Sequence, residues 1–94
     1  MKKMVDVLET VIENNSLKVS DVLIRSNYTT VIASDGAGLT LAVTYHVGDV
    51  DVRTITVEDM CLAGNDEEFN YIDGDNITEK IQTSIEAVIA RADD

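Results

Sequence analysis

The chain has no proline and no tryptophan, one cysteine, one histidine and four aromatic rings in 94 residues. Each absence narrows the reading. Without proline, no helix or strand is cut by a missing amide donor. With Tyr28, Tyr45, Phe69 and Tyr71 as the whole aromatic set, the core must be built mainly of Val, Ile, Leu and Ala. A hydrophobic content of 45% is that of an ordinary globular chain and too high for a disordered one. The lone Cys61 excludes an internal disulfide and fits a reducing compartment, so the expectation is a cytoplasmic protein. No run nears the ~18 apolar residues of a membrane span. Asp6, Glu9 and Glu13 interrupt the N-terminal stretch that a secretory signal would keep apolar.

Basic side chains are scarce too. Seven Lys and Arg stand against 18 Asp and Glu, a formal net charge of −11. That balance argues against direct nucleic-acid binding, which needs cations for the phosphates, and against docking on anionic lipid. The excess is not spread evenly. Residues 49–79 hold ten acids and the single base Arg53, whereas residues 1–48 hold five acids and four bases. A halophile's acidity would cover the whole surface, so the near-neutral first half speaks against that origin.

Catalytic and metal motifs are missing as well. An EF-hand loop requires Gly at its sixth position and acids at its first, third and twelfth. Placing Gly74 sixth puts Phe69 first and Lys80 twelfth; placing Gly64 sixth puts Cys61 third and Asn70 twelfth. Both fail, and no metal or cofactor is expected. Cys61 lies between Met60 and Leu62 with no flanking signature of a nucleophile, and reads as a small packing residue. Asp35-Gly36-Ala37-Gly38 leads into a strand and carries no Lys, so it reads as a hairpin turn and not a phosphate loop. No catalytic residue is assigned, and the expectation is a protein that is not an enzyme.

What is present is a regular alternation of elements. Residues 2–15 form an amphipathic pattern, with Met4, Val5, Leu8, Val11 and Ile12 at three- and four-residue spacing and Asn14-Asn15 as the stop. Leu17–Arg25 predicts a strand with a bulge near Ser20, where the alternation loses phase. A short helix capped by Ser20 is the competitor for this segment. Leu39, Leu41, Val43, Tyr45 and Val47 alternate as a half-buried strand. A hairpin loop of even length at Asp35-Gly36 would put Tyr28, Thr30 and Ile32 on the same face as Leu41 and Val43; an odd loop would invert them. A two-residue turn at Gly48-Asp49 would set His46 opposite Asp51, Thr44 opposite Arg53 and Ala42 opposite Ile55. Glu58-Asp59 followed by Met60–Gly64 suggests one helical turn. Residues 65–74 leave room for a short edge strand. Asn76, with Glu79 three residues on, caps a final helix whose stripe runs Ile77, Ile81, Ile85, Val88, Ile89 and Ala92. Gln82 lies off that stripe and reads as neutral to loss.

These signals predict one α+β domain over residues 1–94. It would comprise an N-terminal helix, an antiparallel meander of three to four strands, an acidic connection, and a C-terminal helix packed on the sheet. The predicted partner-binding set is Asp49, Asp51, Glu58, Asp59, Asp66, Glu67, Glu68, Asp73 and Asp75, with Phe69 and Tyr71 as apolar anchors. Such a face fits a strongly basic partner, since clustered carboxylates speed encounter with cations. Basic partners are commonly nucleic-acid enzymes. A protein whose carboxylates fill their phosphate sites would inhibit them in the manner of DNA-mimicking phage inhibitors and nuclease-immunity proteins. The first expectation is therefore a non-enzymatic inhibitor or adaptor, monomeric or homodimeric. The second is a structural or oligomerising protein whose acidity serves solubility. A small enzyme or non-standard cation binder comes third.

Overall fold

The computed structural model describes residues 4–47, 53–72 and 75–93. Helix α1 (Met4–Glu13) precedes strands β1 (Lys18–Ile24), β2 (Tyr28–Ser34), β3 (Thr40–Val47), β4 (Arg53–Asp59) and β5 (Asp66–Tyr71), and helix α2 (Ile77–Ala92) closes the chain order. The strands form one antiparallel sheet in the order β1-β2-β3-β4-β5. Among the described residues five strands, not three or four, make the meander, because the acidic residues after the fourth strand pair as an edge strand of their own. Helix α1 packs on β1 and β2, α2 packs on β4 and β5, and the helices touch each other. Two layers thus share one core, in which Leu8 and Ile12 of α1 and Ile81 and Ile85 of α2 meet Val31, Val43, Ile55 and Val57 of the sheet. Among the described residues, no helix lies on the opposite face of the sheet. Among the described residues, no helix is long and apolar enough to cross a membrane.

Both helices follow their sequence stripes. In α1, Leu8, Val11 and Ile12 are buried. The chain leaves α1 through a turn whose left-handed residue is Ser16, at φ 62°, two residues beyond the first of the paired asparagines. Asn15 is used differently: its side-chain amide donates to Val11 O at 2.7 Å and exchanges two hydrogen bonds with the Gln82 amide, at 2.9 and 2.8 Å. Gln82 therefore ties α2 to the end of α1 and is not the neutral surface side chain its position off the stripe suggested. Helix α2 starts as expected, with Asn76 Oδ1 accepting from the Glu79 N–H at 3.2 Å.

Register departs from the sequence expectation at both hairpins. Strand β1 does bulge where predicted, between Val19 and Asp21. Strand β2, however, pairs with β3 through Ser34 opposite Thr40 and Ile32 opposite Ala42, which leaves a five-residue loop at 35–39. The Asp35 carboxylate fixes that length by accepting from the Ala37 and Leu39 amides at 2.7 and 3.0 Å, with Gly36 and Gly38 at φ 77° and 109°. Because the loop is odd, Val31 and Ala33 face the helices, and Tyr28, Thr30 and Ile32 face outward beside Ala42, Thr44 and His46. Strand β4 is displaced likewise. Val47 pairs with Arg53, His46 with Thr54, Thr44 with Thr56 and Ala42 with Glu58. The expected pairs of His46 with Asp51, Thr44 with Arg53 and Ala42 with Ile55 do not form, and Ile55 lies fully buried in the core. Gly48 and Asp49 lie outside the described residues.

The helical turn expected at residues 60–64 is absent. Strand β4 continues through Asp59, and the chain turns back through a loop that Asp59 itself organises. Its Oδ1 accepts from the Cys61 and Leu62 amides at 2.8 and 3.2 Å, as in an Asx-turn.

Candidate binding surface on strands β4 and β5

Pleating sorts the acidic strand into two rows. Asp66, Glu68 and Asn70 stand on the open face, opposite Glu58, Thr56 and Thr54 of β4. Glu67, Phe69 and Tyr71 stand on the helix face, opposite Val57, Ile55 and Arg53. Asp66 and Glu68 therefore separate from the two rings, while Glu67 stays in their row. Phe69 is half-buried and Tyr71 is 2% exposed, with ring neighbours Tyr45 at 6.3 Å and Phe69 at 6.4 Å. Tyr71 is a core residue, and neither ring shares a face with Glu58, Asp66 or Glu68.

The predicted carboxylates fall into three groups. Asp49, Asp51 and Asp73 lie outside the described residues. Asp59, Glu67 and Asp75 are engaged inside the fold. Asp59 is 4% exposed, and its Oδ2 accepts from Asn65 Nδ2 at 3.1 Å. Burial removes Asp59 from any surface a partner reaches. Glu67 pairs with Arg91 at 3.0 Å. Asp75 accepts from the Ile72 N–H at 2.9 Å and lies 3.3 Å from Lys80 Nζ. The Ile72 amide holds the Asp75 carboxyl below its ordinary value, against a smaller opposing effect of desolvation and with help from Lys80.

Glu58, Asp66 and Glu68 form the third group. All three are exposed on the open face, and Glu58 faces Asp66 directly across the ladder. Among the described residues, the outward rows of β4 and β5 hold no base: they are Thr54, Thr56, Glu58, Asp66, Glu68 and Asn70. Like charges in directly opposed positions cost stability. The fold accepts this cost where nothing in the packing requires it.

Three residues that matter here carry no signal on their own in the sequence. Arg91 donates from Nε to Asn65 Oδ1 at 2.8 Å and from Nη2 to the Asp66 carbonyl at 3.0 Å. Asn65, 4% exposed, donates to Val88 O at 2.9 Å as well as to Asp59. Lys80 reaches Asp75. Arg91 was the most legible of them: it follows Val88 by three residues, which places it beside the buried stripe of α2.

Cys61 and His46 cannot act together. Cys61 lies next to Thr40, at the start of β3, through the Met60 N–H to Thr40 O bond, and His46 is near the end of β3 against the Tyr28 ring. Six strand residues separate the two positions, about 20 Å. Among the described residues, no three His, Cys, Asp or Glu side chains converge on a metal position. Comparison with protein families, with curated proteins and with solved structures finds no match.

Proposed function

We propose that this protein binds a strongly basic protein through the open face of β4 and β5, and that its carboxylates occupy the cationic site where that partner holds nucleic acid. The observation that carries the reading is the Glu58–Asp66 pair, two like charges directly opposed on an uncovered face, with Glu68 adjoining and no base in either outward row. Alternate residues of a strand lie about 7 Å apart, so Asp66 and Glu68 offer a row of anions at a regular spacing. A Lys or Arg placed between Glu58 and Asp66 would turn a repulsive pair into two attractions. The reading assigns the protein no catalysis; it acts by occupying a site.

The test is association measured at low and at physiological ionic strength, against partners recovered from a host lysate. A variant carrying Glu58→Gln, Asp66→Asn and Glu68→Gln should associate more slowly, with a flattened salt dependence, since the screening length falls to about 8 Å at physiological salt. Displacement of nucleic acid from the partner should weaken in parallel. If neutralising Asp6, Glu9 and Glu13 of α1 matters more, the binding face is elsewhere.

A second reading has its own observation. The β1–β3 half of the open face presents Leu23, Tyr28 and Ile32, half-buried around a Thr30–Thr44 hydroxyl pair at 2.9 Å. Self-association there would show as a dimer in sedimentation that Ile32→Glu abolishes.

A further inference from the structure

The two edges of the sheet are not alike. On β1 the bulge between Val19 and Asp21 breaks the run of pairing groups. On β5 the register is unbroken from Asp66 to Tyr71, so its outer edge keeps a regular ladder. Which groups that edge presents follows from three bonds. The Asp59 N–H donates to Asn65 O at 2.9 Å, so the odd-numbered residues of this segment turn their backbone groups toward β4. The even-numbered residues then turn theirs outward. In accord with this, the Asp66 carbonyl is taken from outside by Arg91 at 3.0 Å, and the Ile72 N–H is taken by Asp75 at 2.9 Å. Between those stops, Glu68 and Asn70 direct N–H and C=O groups away from the sheet.

Beside that gap runs a groove of about 470 Å³ between β5 and the first half of α2, floored by Phe69 and lined by Asn76, Glu79, Lys80, Thr83 and Ser84. A strand added to β5 would lie about 4.8 Å beyond it. Its side chains would then alternate between the row of Asp66 and Glu68 on the open face and the Phe69 groove on the helix face.

We infer that the β5 edge is a strand-addition site for an extended basic segment of the partner, with cations over Asp66 and Glu68 and an apolar side chain in the Phe69 groove. The sign of the partner's charge rests on the function proposed above; the mode of docking does not. Backbone pairing supplies the affinity, the groove selects an apolar residue at every second position, and the acids select Lys or Arg between them. Phe69 thus serves as an anchor after all, from the face opposite the carboxylates. Arg91 and Asp75 close the two ends of the gap and limit it to a short segment.

The probe is an acetylated, amidated peptide of alternating lysine and valine, about six residues long, set against the same peptide methylated at every backbone nitrogen. Charge and side chains are shared, and the methylated backbone has no donors and cannot pair as a strand. With ¹⁵N-labelled protein, the plain peptide should protect the Glu68 and Asn70 amides from exchange and bind at least about tenfold more tightly than the methylated one, the value of one or two net hydrogen bonds. Asn70→Pro removes an outward N–H without taking a bond from β4, and should reduce the plain peptide to the affinity of the methylated one. Asn70→Ala loses the same Thr54 side-chain contact, 2.8 Å in the native protein, yet should keep the tenfold difference. Equal binding of both peptides with no added protection would overturn strand addition and leave the basic-partner reading standing. Binding of neither at low salt would overturn both. The peptide comparison stands by itself if the proline variant fails to fold.

Discussion

Removing either member of the Glu58–Asp66 pair should stabilise the protein while weakening its proposed interaction. Directly opposed side chains have Cβ atoms about 5 Å apart, and two carboxylates there can splay to roughly 7 Å in water. At that distance the repulsion is about 0.6 kcal/mol without salt, and screening over about 8 Å leaves roughly 0.25 kcal/mol at physiological ionic strength. For a chain of this length, those values raise the melting temperature by about 3 °C and about 1 °C. Glu58→Gln and Asp66→Asn each remove the same repulsion. The double variant should therefore gain little over either single, a coupling that additive surface effects would not show. The assay is thermal unfolding of the native protein, the two singles and the double at low and high salt. Added salt should stabilise the native protein more than the variants and close the gap between them. Stability lost in both singles, or gains that add fully and ignore salt, would refute the claim that these carboxylates repel.

Ile81→Ala and Ile85→Ala should each cost about 2–5 kcal/mol in denaturant unfolding, since both side chains are fully buried between helix and sheet. Gln82→Ala should cost about 1–3 kcal/mol, because it leaves the Asn15 amide without two partners; a neutral result would mean the amide pair exchanges freely with water. Asp75 should help set the acid limb of stability. Its carboxyl is held below its unfolded value of 3.8, so its contribution is complete above that pH and is lost as pH falls through the lower folded value. Asp75→Asn should lower the melting temperature at neutral pH and flatten its fall through that window, so that the variant and the native protein converge at lower pH. His46→Gln should leave both stability and association intact, as His46 is exposed and faces Thr54.

What the sequence reveals depends on whether the deciding contact is local. Helix α2 was legible because its stripe and its Asn76 cap lie within one segment. So was the bulge in β1, where Ser20-Asp21 breaks an otherwise regular alternation. The faces of β2 were not legible, because a single residue of loop length inverts every side chain. Asp35 decides that length by accepting two amides, and the glycines beside it fit a four- or a five-residue loop equally well. The burial of Asp59 was hidden for a different reason: it depends on Asn65, which is held by a carbonyl of α2 far along the chain. The separation of Phe69 and Tyr71 from Asp66 and Glu68 was, by contrast, in plain view. It follows from a period of two once residues 66–71 are taken as a strand and not as an acidic connection.

Charge in the acidic third of the chain thus divides by what stands opposite each carboxylate. Asp59 is consumed by loop amides and Asn65, Glu67 by Arg91, and Asp75 by Ile72 and Lys80. These acids build the β4–β5 connection and the entry to α2. Neutralising them should lower stability whatever it does to binding. Glu58, Asp66 and Glu68 answer to no base among the described residues, and the first two repel. Among the described residues of the predicted set, the uncompensated carboxylates stand together on the open face of the sheet while the others are engaged within the fold. A single net charge hides this division. It becomes testable because the two groups respond in opposite senses: the engaged acids destabilise when neutralised, and the opposed pair stabilises. If partner association follows the second group alone, recognition and folding draw on different carboxylates of the same acidic segment.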